Sequence, residues 1–274
     1  MQQYAIGQEL FSRPESEKLQ YRAGLESGNY SGYRPLGAIE TFPGMLDNVE
    51  SYSVFKFLPD FKRVHPDVIE RYSHEIENFS RYVHENIVHK LLLLVAVMLE
   101  LPENYFVDAH KYEEHSGCHL RYMNYRARSP EENAKFQNLY SHSHTDFGTL
   151  TLLFRQPVAA LQVQTPDGQW KYVKPYPGSI TVNIADTLER WTNGFLPSSV
   201  HRVVAPPPDQ AHIDRLGLMY FVRPPDNLHL ATVDSPVLRR EGFKRDDNEN
   251  DEAITAGEWL KDRVKGIWVK PVVD

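Results

Sequence analysis

The sequence predicts a mainly β protein with flanking helices. Three observations lead there. Between residues 119 and 224, short runs rich in Val, Ile, Thr, Tyr and Leu alternate with turn residues, as strands of a sandwich or barrel do, the jelly roll being one candidate. Before that block, apolar residues recur in steps of three and four, the mark of a buried helical face. After it, residues 254–268 return to a helical pattern, with Thr255 as N-cap and Glu258 at the capping-box position.

In chain order, residues 1–25 read as helical and polar, with a fresh helix start at Pro14-Glu15-Ser16-Glu17-Lys18. Residues 26–60 are rich in Gly, Pro, Ser and Tyr, which predicts loops and short strands. Pro66 suits the first turn of a long helix, whose buried face is Ile69, Tyr72, Ile76, Phe79, Val83, Ile87, Leu91, Leu94 and Met98; Leu101-Pro102 ends it. The predicted strands are Leu120–Tyr125, Thr149–Phe154, Leu161–Gln164, Ile180–Ile184, Val200–Val204 and Leu216–Val222. Pro166-Asp167-Gly168 forms a turn, since Pro presets one dihedral and Gly accepts positive φ. The acidic stretch Asp246–Glu252 reads as a solvated loop. The whole chain, 1–274, is expected to be one domain: a helical and loop part (1–118), a core (119–224) and a C-terminal extension (225–274).

Composition narrows the function. A formal charge of −7 argues against general nucleic-acid binding, which needs a basic face. The single cysteine, Cys118, excludes an internal disulfide and a thiolate cluster, and suits a reducing cytosol. The chain opens with no secretory pattern. Its longest apolar run, Leu91–Leu99, is too short to span a bilayer. A cytoplasmic protein without a membrane partner is expected.

The chemistry is concentrated in His144-Thr145-Asp146, followed at a distance by His201. Alternate residues of a strand share a side, so His144 and Asp146 can face one cavity while His201 arrives from another strand. Two imidazoles and one carboxylate occupy one face of an octahedral ferrous ion and leave positions open for O2 and a second ligand. His142, two residues from His144, is the decoy, because its flanks do not match. A ferrous centre of this kind takes electrons from a 2-oxo acid, whose distal carboxylate needs a cation. Arg215, opening a predicted strand after His201, offers a bidentate one. Tyr125 and Asn124 are candidates to hydrogen-bond the same acid.

The residues Ser143-His144-Thr145-Asp146-Phe147-Gly148-Thr149-Leu150-Thr151-Leu152-Leu153, then Asp167-Gly168-Gln169-Trp170, Pro177-Gly178-Ser179 through Asn183 and Asp186, Trp191-Thr192-Asn193-Gly194 and Ser199-Val200-His201-Arg202-Val203-Val204 resemble the iron- and 2-oxoglutarate-dependent dioxygenases of the isopenicillin N synthase-like group. The resemblance implies a distorted jelly-roll (double-stranded β-helix) core, Fe(II), 2-oxoglutarate and O2. It implies His144, Asp146 and His201 as ligands and Arg215 on the 2-oxoglutarate carboxylate. It also implies oxidation of a small molecule, most often hydroxylation, with release of succinate and CO2; secondary metabolism is the expected setting.

Three departures accompany it. Gly217 stands where the group usually has Ser, which removes one hydrogen bond to the co-substrate, worth about 0.5–1.5 kcal/mol. The stretch from His201 to Arg215 is lengthened through Ala205–Gln210. The N-terminal part is short by comparison, so an exposed sheet edge is expected, relieved by homo- or hetero-oligomerisation or by a rearranged N-terminal helix. Arg121, Tyr122 and Arg223 are candidates to anchor an acidic or polar substrate. Two other functions stay open at this level: an oxidase of the same fold that uses no 2-oxoglutarate, and a catalytically silent binding or assembly subunit.

Overall fold

A computed structural model describes residues 2–243 and 254–264. Among them, antiparallel strands form two main sheets. The larger runs β1 (Gly32–Arg34), β4 (Val49–Phe55), β5 (His119–Tyr125), β12 (Arg215–Val222), β7 (Leu150–Phe154), β10 (Ile180–Ile184). The smaller runs β6 (Leu139–His144), β11 (His201–Val204), β8 (Leu161–Gln164), β9 (Trp170–Tyr172). A hairpin of β2 (Glu40–Phe42) and β3 (Met45–Leu46) stands apart. This is the double-stranded β-helix arrangement. All six predicted strands form, within a residue or so of the expected bounds. The long strand β4 was not anticipated, because every residue from Val49 to Val54 is buried and its polar Glu50, Ser51 and Ser53 hide the strand pattern.

Side chains alternate across the larger sheet. One face, including Tyr52, Leu120, Tyr122, Leu152, Leu218 and Tyr220, packs on the helices through Ile6, Leu10, Ile76 and Leu92. The other face, through Ser51, Arg121, Met123, Tyr125, Thr151 and Arg215, lines a cavity closed by the smaller sheet.

Two expectations change. The long helix is not continuous: Asp67–Arg71 and Ser73–Tyr82 are separated at Tyr72, and a π turn over Val83–Val88 leads into His89–Met98. A π turn takes one extra residue and moves the buried stripe by about one position. Ile69, Ile76 and Val83 are buried as expected, but beyond them the buried residues are His84, Val88, Leu92, Ala96 and Leu99, while Leu94 and Met98 face solvent. The N-terminal helix Gln2–Phe11 is not a solvated polar segment either, since Ile6, Leu10 and Phe11 pack into the core. Residues 21–23 then pair with β1, Ala23 N–H donating to Tyr33 O at 2.8 Å and Tyr33 N–H to Tyr21 O at 2.9 Å, so this edge of the sheet has a partner within the chain.

The helix Ala256–Val264 begins with the predicted capping box: Glu258 N–H donates to Thr255 Oγ1 at 3.3 Å and Thr255 N–H to Glu258 Oε2 at 3.1 Å. The acidic stretch Asp246–Glu252 and positions 265–268 lie outside the described residues. No helix among the described residues is long and apolar enough to cross a membrane.

Candidate metal centre and active-site cavity

His144 closes β6 and is the direct cross-strand partner of His201, which opens β11. Their rings lie 4.3 Å apart between centroids. Asp146 has left the strand, in the loop that joins β6 to β7. That loop is pinned: Asp186 N–H donates to Asp146 O at 2.9 Å, and Thr187 Oγ1 to Phe147 O at 2.8 Å. Arg263, from the C-terminal helix, holds Asp186 at 2.6 Å and so ties that helix to the loop. One donor atom each of His144, Asp146 and His201 falls within 4.8 Å of the others, close enough for one ion to touch all three.

The donors are aimed. His144 Nδ1 lies 2.8 Å from His142 O, and His201 Nδ1 lies 2.9 Å from Ser199 O. A proton on each Nδ1 bonded to its carbonyl leaves each Nε2 lone pair for a metal. Asn183 Nδ2 donates to Asp146 Oδ2 at 3.0 Å, which leaves Oδ1, 3.9 Å from His201 Nε2, facing the histidines. Desolvation pulls the His144 imidazole below its ordinary value, and neighbouring His201 adds to this against Asp146. For Asp146, desolvation raises the carboxyl, but His201, His144 and the Asn183 hydrogen bond outweigh it and hold it below the usual range. His144 is thus biased to its neutral form and Asp146 to its carboxylate, the forms in which they can hold a divalent cation. His142 is not in the group; its Nε2 sits 2.6 Å from Thr41 O and its ring meets the edge of Phe42.

The cavity behind the trio has a volume of about 630 Å3. Arg215 lies in it, 4% exposed, with its Nε buried and unpartnered and its guanidinium 5.5 Å from the Tyr125 ring. Burial pushes this guanidinium below its ordinary value, and Tyr125 and Tyr4 offset only part of that. A buried arginine without a counter-ion is costly unless a ligand supplies one. Tyr125 lines the cavity and is the cross-strand partner of Arg215. Asn124 is buried but does not line the cavity, because it sits on the opposite face of β5. Tyr122 also turns away, its hydroxyl donating to Gln3 Oε1. Arg121 and Arg223 both line the cavity.

Gln156 was not anticipated. It lies just past β7, is buried, and lines the same cavity. A Cβ built on Gly217 would fall on its Nε2, so the Gln156 amide occupies the space a serine at 217 would need, and its Oε1 has no partner. The absence of a side chain at Gly217 was the only signal for it in the sequence.

A double-sheet β core with an aimed His-Asp-His trio and a buried, unpaired arginine in one cavity defines a metal-dependent enzyme that binds an acidic co-substrate. Residues 115–224 match the 2OG-Fe(II) oxygenase superfamily, so this stretch is a domain of that family, whose members are oxidoreductases. It is 29% identical over 238 residues to the 2-oxoglutarate-dependent dioxygenase gloE of Glarea lozoyensis, covering 85% of this chain and 69% of that protein. A full-length protein of Neurospora crassa, solved in complex with alpha-KG and thymine, superposes with a TM-score of 0.79 at 25% identity, covering 95% of this chain and 81% of that one. A 2OG-Fe(II) oxygenase family protein from Caulobacter crescentus gives 0.77 at 29% identity, covering 95% and 83%. Fe(II), 2-oxoglutarate and O2 are thus its cofactor, co-substrate and oxidant.

Proposed function

We propose that this oxygenase hydroxylates a small molecule, with His144, Asp146 and His201 holding Fe(II) and Arg215 holding the distal carboxylate of 2-oxoglutarate. One observation carries the reading: the unpaired, buried Arg215 opens into the same cavity as the aimed trio. Bound iron supplies the redox centre at which O2 is activated while 2-oxoglutarate is oxidised to succinate and CO2.

The protein's own residues do the rest. His142 O and Ser199 O fix the two imidazoles in the metal-binding tautomer, and Asn183 holds Asp146 so that one oxygen faces inward. Arg215 presents a planar fork that matches a carboxylate. Gln156 Nε2 takes the place of the serine hydroxyl that the resemblance leads one to expect at 217, and donates the hydrogen bond that Gly217 cannot. Tyr125, Tyr140, Met219 and Phe221 contribute apolar wall to the same cavity.

The test is an anaerobic titration of Fe(II) and then 2-oxoglutarate into metal-free protein. A weak visible band near about 500 nm, expected for a bidentate 2-oxo acid at an open facial site, supports the assignment. Iron binding with no band on adding 2-oxoglutarate refutes the role of Arg215.

A further inference from the structure

Beyond Arg215, two more arginines of the cavity have no acidic partner among the described residues. Arg34 is paired with Asp47 and Arg263 with Asp186, so those charges are answered within the protein. Arg121 is not. Its Nε donates to Ser53 Oγ at 3.0 Å and its Nη2 to His119 Nε2 at 3.0 Å, both neutral acceptors, and its remaining N–H groups are uncommitted. His119 can accept that bond because burial and the nearby Arg121 and Arg223 hold its imidazole well below the ordinary value. It is also stacked between Phe55 and Phe221 at 5.0 and 4.9 Å.

Arg223 lies just beyond β12, its Nε buried and without a partner. Its stem is held between two glycines. A Cβ at Gly117 would come within 3.0 Å of Arg223 Cδ, and one at Gly148 within 3.3 Å of Arg223 Cγ.

The two heads converge on one ring. Arg121 Cζ is 5.7 Å and Arg223 Cζ 5.5 Å from the centroid of Tyr30, and Arg121 is 4.6 Å from that of Phe221. Burial lowers the affinity of both guanidinium groups for their protons, and the nearby Arg223 lowers that of Arg121 further. Two like charges held this close, half-buried, are destabilising unless something negative is bound between them. Asp146 is the carboxylate of the cavity not already paired with an arginine, and the metal centre engages it. The surrounding walls are apolar: Leu25, Phe147, Met219 and Phe221.

We propose that Arg121 and Arg223 are the anion-binding end of the substrate site, and that the substrate is a small molecule with a carboxylate or phosphate head on an apolar body. The proposal rests on the reading of the cavity as an oxygenase active site. In it, Arg215 serves the co-substrate and this second pair selects what is oxidised. Planar carboxylates and phosphates both satisfy two guanidinium forks, so the head group is common to either source.

The test is calorimetric titration of the anaerobic Fe(II) protein, saturated with 2-oxoglutarate so that Arg215 is already engaged. Three probes share one ring: phenylacetate, phenyl phosphate and the neutral phenylacetamide. At least one anion is expected to bind about tenfold or more tightly than the amide, a difference of about 1.4 kcal/mol. Which anion leads identifies the head group. Arg121→Met and Arg223→Met are each expected to bring it to the amide's affinity, with 2-oxoglutarate affinity unchanged. Gly117→Ala, which crowds Arg223 without removing its charge, is expected to weaken the anion alone.

Equal binding of anion and amide, an anion preference that survives both Met variants, or no anion binding at about 10 mM, the weak end of specific recognition, overturns the proposal. If the wild-type protein takes up no iron or 2-oxoglutarate, the oxygenase assignment has failed instead. The same probes titrated into the metal-free protein then decide the arginine pair by itself.

Discussion

Replacing Arg215 with Met is expected to move stability and co-substrate binding in opposite directions. Arg215 is 4% exposed, its Nε is unpartnered, and its guanidinium lies 5.5 Å from the centre of the Tyr125 ring. An unsatisfied buried N–H costs about 1–3 kcal/mol, and a desolvated, unpaired charge adds to this. Met keeps most of the apolar stem and removes the charge. The ligand-free Arg215→Met protein should therefore be more stable than wild type by about 1–3 kcal/mol. For a chain of this size that is a rise in Tm of about 2–4 °C per kcal/mol.

Binding goes the other way. Truncating one partner of a buried, hydrogen-bonded charge pair costs about 2–5 kcal/mol, which raises the Kd for 2-oxoglutarate roughly 30- to several-thousand-fold. At about 100 times the wild-type Kd, 2-oxoglutarate stabilises the wild-type protein by about 2.7 kcal/mol, and it should stabilise the variant by no more than about 0.9 kcal/mol. The assay is anaerobic thermal unfolding of both proteins with Fe(II), with and without 2-oxoglutarate. A variant that is less stable without ligand and gains as much stability from 2-oxoglutarate as wild type would overturn this account. It would mean that Arg215 is structural and that the acid binds elsewhere.

The remaining predictions concern the same cavity and the protein's acid sensitivity. Gly217→Ser should weaken 2-oxoglutarate binding because the new side chain collides with Gln156, and adding Gln156→Ala should recover most of the loss; additive effects in this double-mutant cycle, measured by co-substrate titration, would separate the two sites. Asn183→Ala removes the 3.0 Å bond that orients Asp146 and should cost about 10–100-fold in Fe(II) affinity with little change in Tm, whereas unchanged iron retention after dialysis would discount that bond. His201→Ala should abolish turnover, and full activity in that variant would sink the metal assignment.

Two histidines should make the fold acid-sensitive. Burial lowers His65, bonded to the Tyr52 hydroxyl at 2.8 Å, to about 4, and His110, bonded to Phe106 O and Thr149 Oγ1, to about 3. Both are neutral in the fold, so the unfolded chain binds more protons below its ordinary value of about 6.5. The stability they contribute is full above that pH and lost as pH falls toward about 4 for His65 and about 3 for His110. Tm followed against pH should show a shallower decline between about 6.5 and 4 in His65→Gln than in wild type; parallel curves would dismiss His65.

The grouping of His144, Asp146 and His201 was legible in the sequence because it is nearly local: His144 and Asp146 are two residues apart, and His201 stands in a recognisable strand. Strand positions were legible because period-two alternation and turn residues are properties of short segments. Other features needed the folded chain. Periodicity alone predicts one continuous helix, but the π turn at Val83–Val88 shifts the buried stripe, and nothing in the apolar spacing records an extra residue in a turn. Tyr125 and Asn124 looked alike as neighbours on one strand; the pleat sends only Tyr125 into the cavity.

The donor set, the β core and an arginine at the start of β12 all follow from residue order alone. That this arginine is unpaired, that Gln156 fills the space beside Gly217, and that Arg121 and Arg223 meet over Tyr30 emerge only once the chain has folded. Pairing and vacancy are relations between distant segments. Sheet register sets them: β12 lies against β5 with Met219 opposite Arg121, and no local propensity encodes which charges are left without a partner when the two sheets close.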